Sequence, residues 1–125
     1  MQNSELILST LEDIDFSLNL ILKRSQHILS VDDFLKDDSG LEKLDSISMR
    51  LVAIGEAFKN IDKLSNNTIL KNYPQIPWKQ VKGIRDILSH HYFDIDAEII
   101  FDVSKDEVPK LLDIVKKMIK DLSKT

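Results

Sequence analysis

A chain of 125 residues, 42% apolar and 30% charged, has material for one core and is too apolar for a disordered tail. Three glycines and three prolines are too few for a sheet protein built on tight turns, and the lack of cysteine excludes disulfides and thiolate metal sites. A formal net charge of −4 argues against a general nucleic-acid coat, whose affinity comes mostly from Lys and Arg on phosphate.

The N-terminus, Met1-Gln2-Asn3-Ser4-Glu5, lacks the basic patch and cleavage site of a signal peptide, and no apolar run approaches the roughly 18 residues of a membrane span. The expectation is therefore a single cytoplasmic domain over residues 1–125 with no membrane partner. From Ile7 the apolar residues Leu11, Ile14, Leu18, Ile21 and Ile28 recur at three and four, with Ser25 in the one gap, which predicts a long amphipathic helix over 6–29. Leu6, Leu22 and Leu29 widen its stripe, as a bundle or a self-associating seam requires. His27 near its end reads as an exposed residue or a favourable charge at the helix C-terminus.

Residues 30–40 break the period with acidic and small side chains and read as a loop, with a short turn at Phe34 and Leu35. Leu44, Ile47, Leu51, Ile54 and Phe58 then predict a second long helix over 41–60. Gly55 inside it costs about 1 kcal/mol relative to Ala, and close helix packing is the plain reason to keep it. Glu56 beside it reads as a surface carboxylate. Ser65-Asn66-Asn67-Thr68 offers caps for a short helix that Pro74 stops, and Pro77 suits the first turn of the next helix, with a stripe of Trp78, Val81, Ile84 and Leu88. Trp78, the sole tryptophan, reads as a core anchor. A helix over 96–103 follows, then a capping box at Ser104-Lys105-Asp106-Glu107 that restarts a helix, with Pro109 in its first turns. Val108, Leu111, Leu112, Val115, Ile119 and Leu122 carry the last stripe.

Charge is distributed unevenly. From Lys59 to Arg85 six basic residues face one acidic residue, whereas from Asp86 to Glu107 seven acidic residues face Lys105 alone. Most such charges belong to solvated faces. Between the two blocks lies Gly83-Ile84-Arg85-Asp86-Ile87-Leu88-Ser89-His90-His91-Tyr92-Phe93, which holds two of the three histidines. Arg85 supplies a cationic fork suited to phosphate, and His90 and His91 can exchange protons near neutral pH. On one continuous helix Tyr92 would lie nearly in line with Arg85, while His90 would be rotated by about 140°. Either the helix unwinds near His90, or a second copy of the chain completes the constellation. The histidines lack the spaced carboxylates of a metal site, and Gly40, Gly55 and Gly83 are too scattered for a nucleotide-binding loop.

Arg85, four residues, then His90-His91-Tyr92 gives R-x4-H-x-Y, which resembles the HepT-like branch of the HEPN family. Ile54-Gly55-Glu56-Ala57 and Tyr73-Pro74-Gln75-Ile76-Pro77-Trp78 resemble two further blocks of that family, so the likeness covers most of the chain. The resemblance implies an all-α, antiparallel bundle of four to six helices, dimeric, with the motif in a groove between protomers. It also implies the toxin of a type VII toxin–antitoxin system: an endoribonuclease that cleaves RNA without a metal or other cofactor. His90 would move a proton at the ribose 2′-hydroxyl or the leaving oxygen, and Arg85 would stabilise charge on the phosphate. Asp86 is available to orient Arg85 or His90, and His91 occupies the variable position. Tyr92 would be the residue to which a partner nucleotidyltransferase of the MntA type adds AMP, blocking the site with bulk and negative charge. The runner-up is a non-catalytic helical adaptor or nucleotide-binding subunit of that transferase.

Overall fold

The computed structural model describes residues 2–88 and 95–124, and every regular element among them is a helix. Helix α1 (Gln2–Ser25) and helix α3 (Asp38–Ser65) are the long elements of the first half, joined through the short α2 (Val31–Leu35). They run antiparallel, since Asn3 Nδ2 donates to the Leu64 carbonyl at one end and an Arg50 guanidinium nitrogen donates to Ser17 Oγ midway. The expected seven-residue rhythm is the one that is buried: Ile7, Leu11, Ile14, Leu18 and Ile21 face inward from α1, and Leu44, Ile47, Leu51, Ile54 and Phe58 face inward from α3. Each such side chain contributes about 1.5–3 kcal/mol by leaving water. Ser25, the gap in the stripe, is itself buried. Of the residues expected to widen the stripe, Leu22 packs against the core, whereas Leu6 is 55% exposed and Leu29, beyond the end of α1, is 78% exposed.

The segment read as a loop contains α2, whose Phe34 is fully buried, and α3 starts earlier than its apolar rhythm. Asp37 caps it, accepting from the Gly40 N–H at 2.7 Å. Gly40 lies so close to α2 that a Cβ there would stand 2.1 Å from the Asp33 carbonyl oxygen. Helix α3 also continues past Asn60, because Ile61, three residues after Phe58, is fully buried. It ends at Asn66 and Asn67, whose φ values of 56° and 62° are left-handed and whose N–H groups fold back onto the Asp62 carbonyl. These asparagines thus close α3 rather than open the next helix, which is only a 3₁₀ turn at Leu70–Asn72.

The helix expected after Pro77 is two helices, α4 (Trp78–Lys82) and α5 (Ile84–Leu88), separated at Gly83. Pro77 stands just before α4 rather than in its first turn. Conversely, the two C-terminal helices expected are one continuous run. Helix α6 (Ala97–Asp102), capped by Asp96 onto the Ile99 N–H, passes through a π turn at Val103–Glu107 into α7 (Val108–Ser123). In that turn the Val108 N–H bonds to the Val103 carbonyl, five residues back. The wider turn lies directly before Pro109, which has no N–H to give and crowds the preceding turn. Burial of Ile100, Ser104, Val108 and Val115 holds the run together. Lys105 Nζ reaches across to the Ser25 carbonyl at 2.7 Å, satisfying the C-terminal end of α1. Helices α3 and α7 both pack on α1, giving the all-α antiparallel bundle.

Candidate active site

Arg85 and Asp86 lie on α5 and are both exposed. His90, His91 and Tyr92 lie outside the described residues. The flanks of that segment are tied together, because the Asp96 N–H donates to the Leu88 carbonyl at 3.1 Å. Leu88 is buried, so α5 is anchored at its end while Arg85 one turn earlier faces water. Arg85 is therefore presented to solvent on a short helix held to the core from both of its neighbours in sequence.

Helix α4 is positioned by Gly55. A Cβ at Gly55 would lie 2.8 Å from the Val81 carbonyl oxygen and 2.9 Å from Ile84 Cγ2, so the backbone of α3 touches α4 and the start of α5 directly. The packing role expected for Gly55 is the observed one, and Glu56 is an exposed carboxylate 3.4 Å from Lys59. Trp78 is only partly buried; its ring stands 4.9 Å from that of Phe58, and its Nε1 donates to the Tyr73 carbonyl at 2.9 Å. It anchors α4 to α3 rather than filling the centre of the core.

Close approach of α3 and α4 creates two concave surfaces near Arg85. One is a groove of about 390 Å³ with an apolar floor that includes Leu51, Ile84 and Val108 and an acidic edge of Asp102, Asp106 and Glu107. The other is an open cavity of about 450 Å³ lined by Lys59, Asp62, Lys79, Lys82 and Gly83. Lys82 pairs with Asp62, which is largely shielded from water. Three of the six basic residues of the Lys59–Arg85 block thus share one concave surface. Among the described residues no group of three His, Cys, Asp or Glu side chains could hold a metal ion. None of the described helices is long and apolar enough to cross a membrane.

The Tyr73–Trp78 block has a scaffolding geometry. Tyr73 is buried, its hydroxyl donates to Asp121 Oδ2 at 2.8 Å, and Lys117 Nζ stands 5.9 Å from its ring centroid. Burial, followed by the Asp121 contact, pushes the Tyr73 hydroxyl up to about 12. The same hydrogen bond, aided by Lys117, holds the Asp121 carboxyl below its usual range. This block thereby ties the exit of α3 to α7 and to α4.

The fold is an all-α bundle in which the exposed Arg85 follows, two residues on, the Gly83 that lines the lysine-bearing cavity. The chain belongs to the family described as ribonuclease HepT-like, whose model matches residues 17–118. It is 37% identical over 94 residues to a "Putative RNase" of Methanocaldococcus jannaschii, covering 75% of this chain and 72% of that protein. It is 33% identical over 116 residues to a "Gamma-glutamylcyclotransferase and putative RNase" of the same organism, covering 90% of this chain and 50% of that longer protein. A "Probable ribonuclease HepT" of Thermococcus cleftensis is 34% identical over 101 residues, covering 81% of this chain and 84% of that protein. No solved structure gives a significant match.

Proposed function

We propose that the chain is an endoribonuclease of the HepT type, cleaving RNA without a metal through Arg85 and His90. The observation that supports this reading is the exposed Arg85 on the anchored α5, at the head of the R-x4-H-x-Y motif, in a chain matched to the ribonuclease HepT-like family across most of its length. In this mechanism His90 takes the proton of the ribose 2′-hydroxyl or supplies one to the leaving 5′-oxygen. The 2′-oxygen attacks the adjacent phosphorus as the bond to the 5′-oxygen breaks, leaving a 2′,3′-cyclic phosphate. The guanidinium of Arg85 offers two donors to the phosphate oxygens as charge grows on them. Asp86, next to Arg85, orients it or His90, and His91 is a neighbour without an assigned proton. A homodimer bringing two motifs into one groove supplies the convergence that a single helix cannot.

The biological role in this reading is that of a toxin, silenced when a partner nucleotidyltransferase of the MntA type adds AMP to Tyr92. The phosphate of the adduct would neutralise the cationic site that RNA must enter. Incubation with total RNA in EDTA tests the chemistry: wild type cleaves to cyclic-phosphate ends, and Arg85→Ala and His90→Ala do not. Mass spectrometry of Tyr92 after treatment with the transferase and ATP tests the silencing. Unmodified wild type that leaves RNA intact would replace the enzyme with the second reading, an adaptor subunit for the transferase, which the chain's net charge of −4 favours.

A further inference from the structure

We propose that the cavity lined by Lys59, Lys79 and Lys82 is a phosphate subsite that holds the backbone of single-stranded RNA next to Arg85; this rests on the ribonuclease reading and names how its substrate is held. The lysines come from two elements, Lys59 from α3 and Lys79 and Lys82 from α4, and they share one concave surface only because Gly55 lets the two backbones touch. Gly83 forms part of the lining and is two residues from Arg85, so the backbone at Arg85 lies no more than about 7 Å from that wall of the cavity. In this arrangement a strand whose reacting phosphate sits at Arg85 places a neighbouring phosphate on these ammonium groups.

The local charges fit this role better than a set of internal ion pairs does. Asp62 is mostly shielded and engaged by Lys82, which fixes the direction of that side chain at the base of the cavity. Lys59 makes only a 3.4 Å contact with Glu56, with both side chains about half exposed, the kind of pair that gives way readily to a stronger anion. Lys79 is exposed, and no ion pair among the described residues involves it. On the other side of α5 the groove edge carries Asp102, Asp106 and Glu107, which repel a polyanion. The two surfaces together direct a strand over α4 and away from α6. Contacts of this kind grip phosphate and carry no base preference.

The test is equilibrium binding of a 2′-O-methyl oligonucleotide, which cannot be cleaved, across a salt series, alongside cleavage of unmodified RNA. Each neutralised phosphate on a single strand contributes about 0.7 to the slope of log K against log salt, so Lys59→Gln/Lys79→Gln should lower the slope by about 1.4, equally for different sequences. Lys59→Arg/Lys79→Arg should restore it, and Lys116→Gln/Lys120→Gln, which removes the same charge from α7, should leave it unchanged. Wild type that cleaves RNA while the Gln pair binds with unaltered affinity and slope overturns the subsite and leaves the ribonuclease reading standing. An equal fall in slope in the α7 variant also overturns it, since net charge would then suffice. Wild type that binds through Lys59 and Lys79 yet cleaves nothing supports backbone binding here and overturns the ribonuclease reading.

Discussion

Gly55 is the residue at which packing and function meet most directly. With no side chain it allows the Val81 carbonyl oxygen to lie 2.8 Å from where a Cβ would stand, and the position of α4 follows from that contact. Gly55→Ala therefore has to push α4 and Ile84 outward, and overpacking of this kind costs about 1–3 kcal/mol. Urea denaturation should show the lower midpoint, and because α4 carries Lys79 and Lys82, RNA binding should weaken as well. Tyr73 shows a second single-residue dependence. Its hydroxyl is held at about 12, above the ordinary value near 10, so the stability it contributes is fully present below pH 10 and is lost as pH rises through 12. Asp121 has the opposite sign: its carboxyl is held low, so its contribution is present above its ordinary value and disappears as pH falls through the lowered one. Tyr73→Phe should cost about 1 kcal/mol at neutral pH and flatten the alkaline loss between pH 10 and 12, measured by thermal melts.

At the scale of elements, the long helices and α6 were legible, whereas α2 and the break between α4 and α5 were not. A seven-residue rhythm repeated over several turns identifies one buried face whatever surrounds it, as Leu11 to Ile21 and Leu44 to Phe58 show. The boundaries depend on a few residues with two readings. Asp37 starts α3 through a hydrogen bond that its neighbours Asp38 and Ser39 could equally have made; Asp37→Ala should lower stability by about 1 kcal/mol in chemical denaturation. Asn66 and Asn67 are suitable caps for either end of a helix, and the left-handed ending of α3 decided between them. Ser104 to Glu107 satisfies the pattern of a helix start, yet Ser104 is buried against the bundle, and the wider turn before Pro109 lets the helix run on. The stripe from Trp78 to Leu88 reads as one helix, but Gly83 divides it and gives Arg85 its own short helix.

At the scale of the molecule, α3 and α7 both pack on α1, and α4 to α6 are assembled against α3. This arrangement places the basic cavity and the acid-edged groove on neighbouring surfaces, although their residues follow one another in sequence as two blocks of opposite charge. The groove floor keeps Ile84, Ile87 and Ile99 within reach of solvent, and Ile87 is 38% exposed. Exposed apolar surface on the helix that carries Arg85 is what the proposed homodimer would cover. Sedimentation of the wild type should give twice the chain mass, and Ile87→Glu should give monomers that retain helical circular dichroism but have lost RNA cleavage.

The helical class, the inward faces of the long helices and the family are legible in the residues alone, because each is written in local periodicity or in contiguous blocks such as Ile54–Ala57 and Tyr73–Trp78. The basic block is legible too, but as a stretch of charge with no third dimension. Only the tertiary structure decided that Lys59 meets Lys79 and Lys82, that Arg85 is exposed on a helix separate from Trp78, and that Tyr73 spends its hydroxyl on Asp121. Those relations join residues up to 48 positions apart. The meeting of Lys59 with α4 depends on how closely two backbones approach, a distance set by the absence of one side chain at Gly55, and the Tyr73–Asp121 bond on the packing of α7; neither is written in a repeat along the chain.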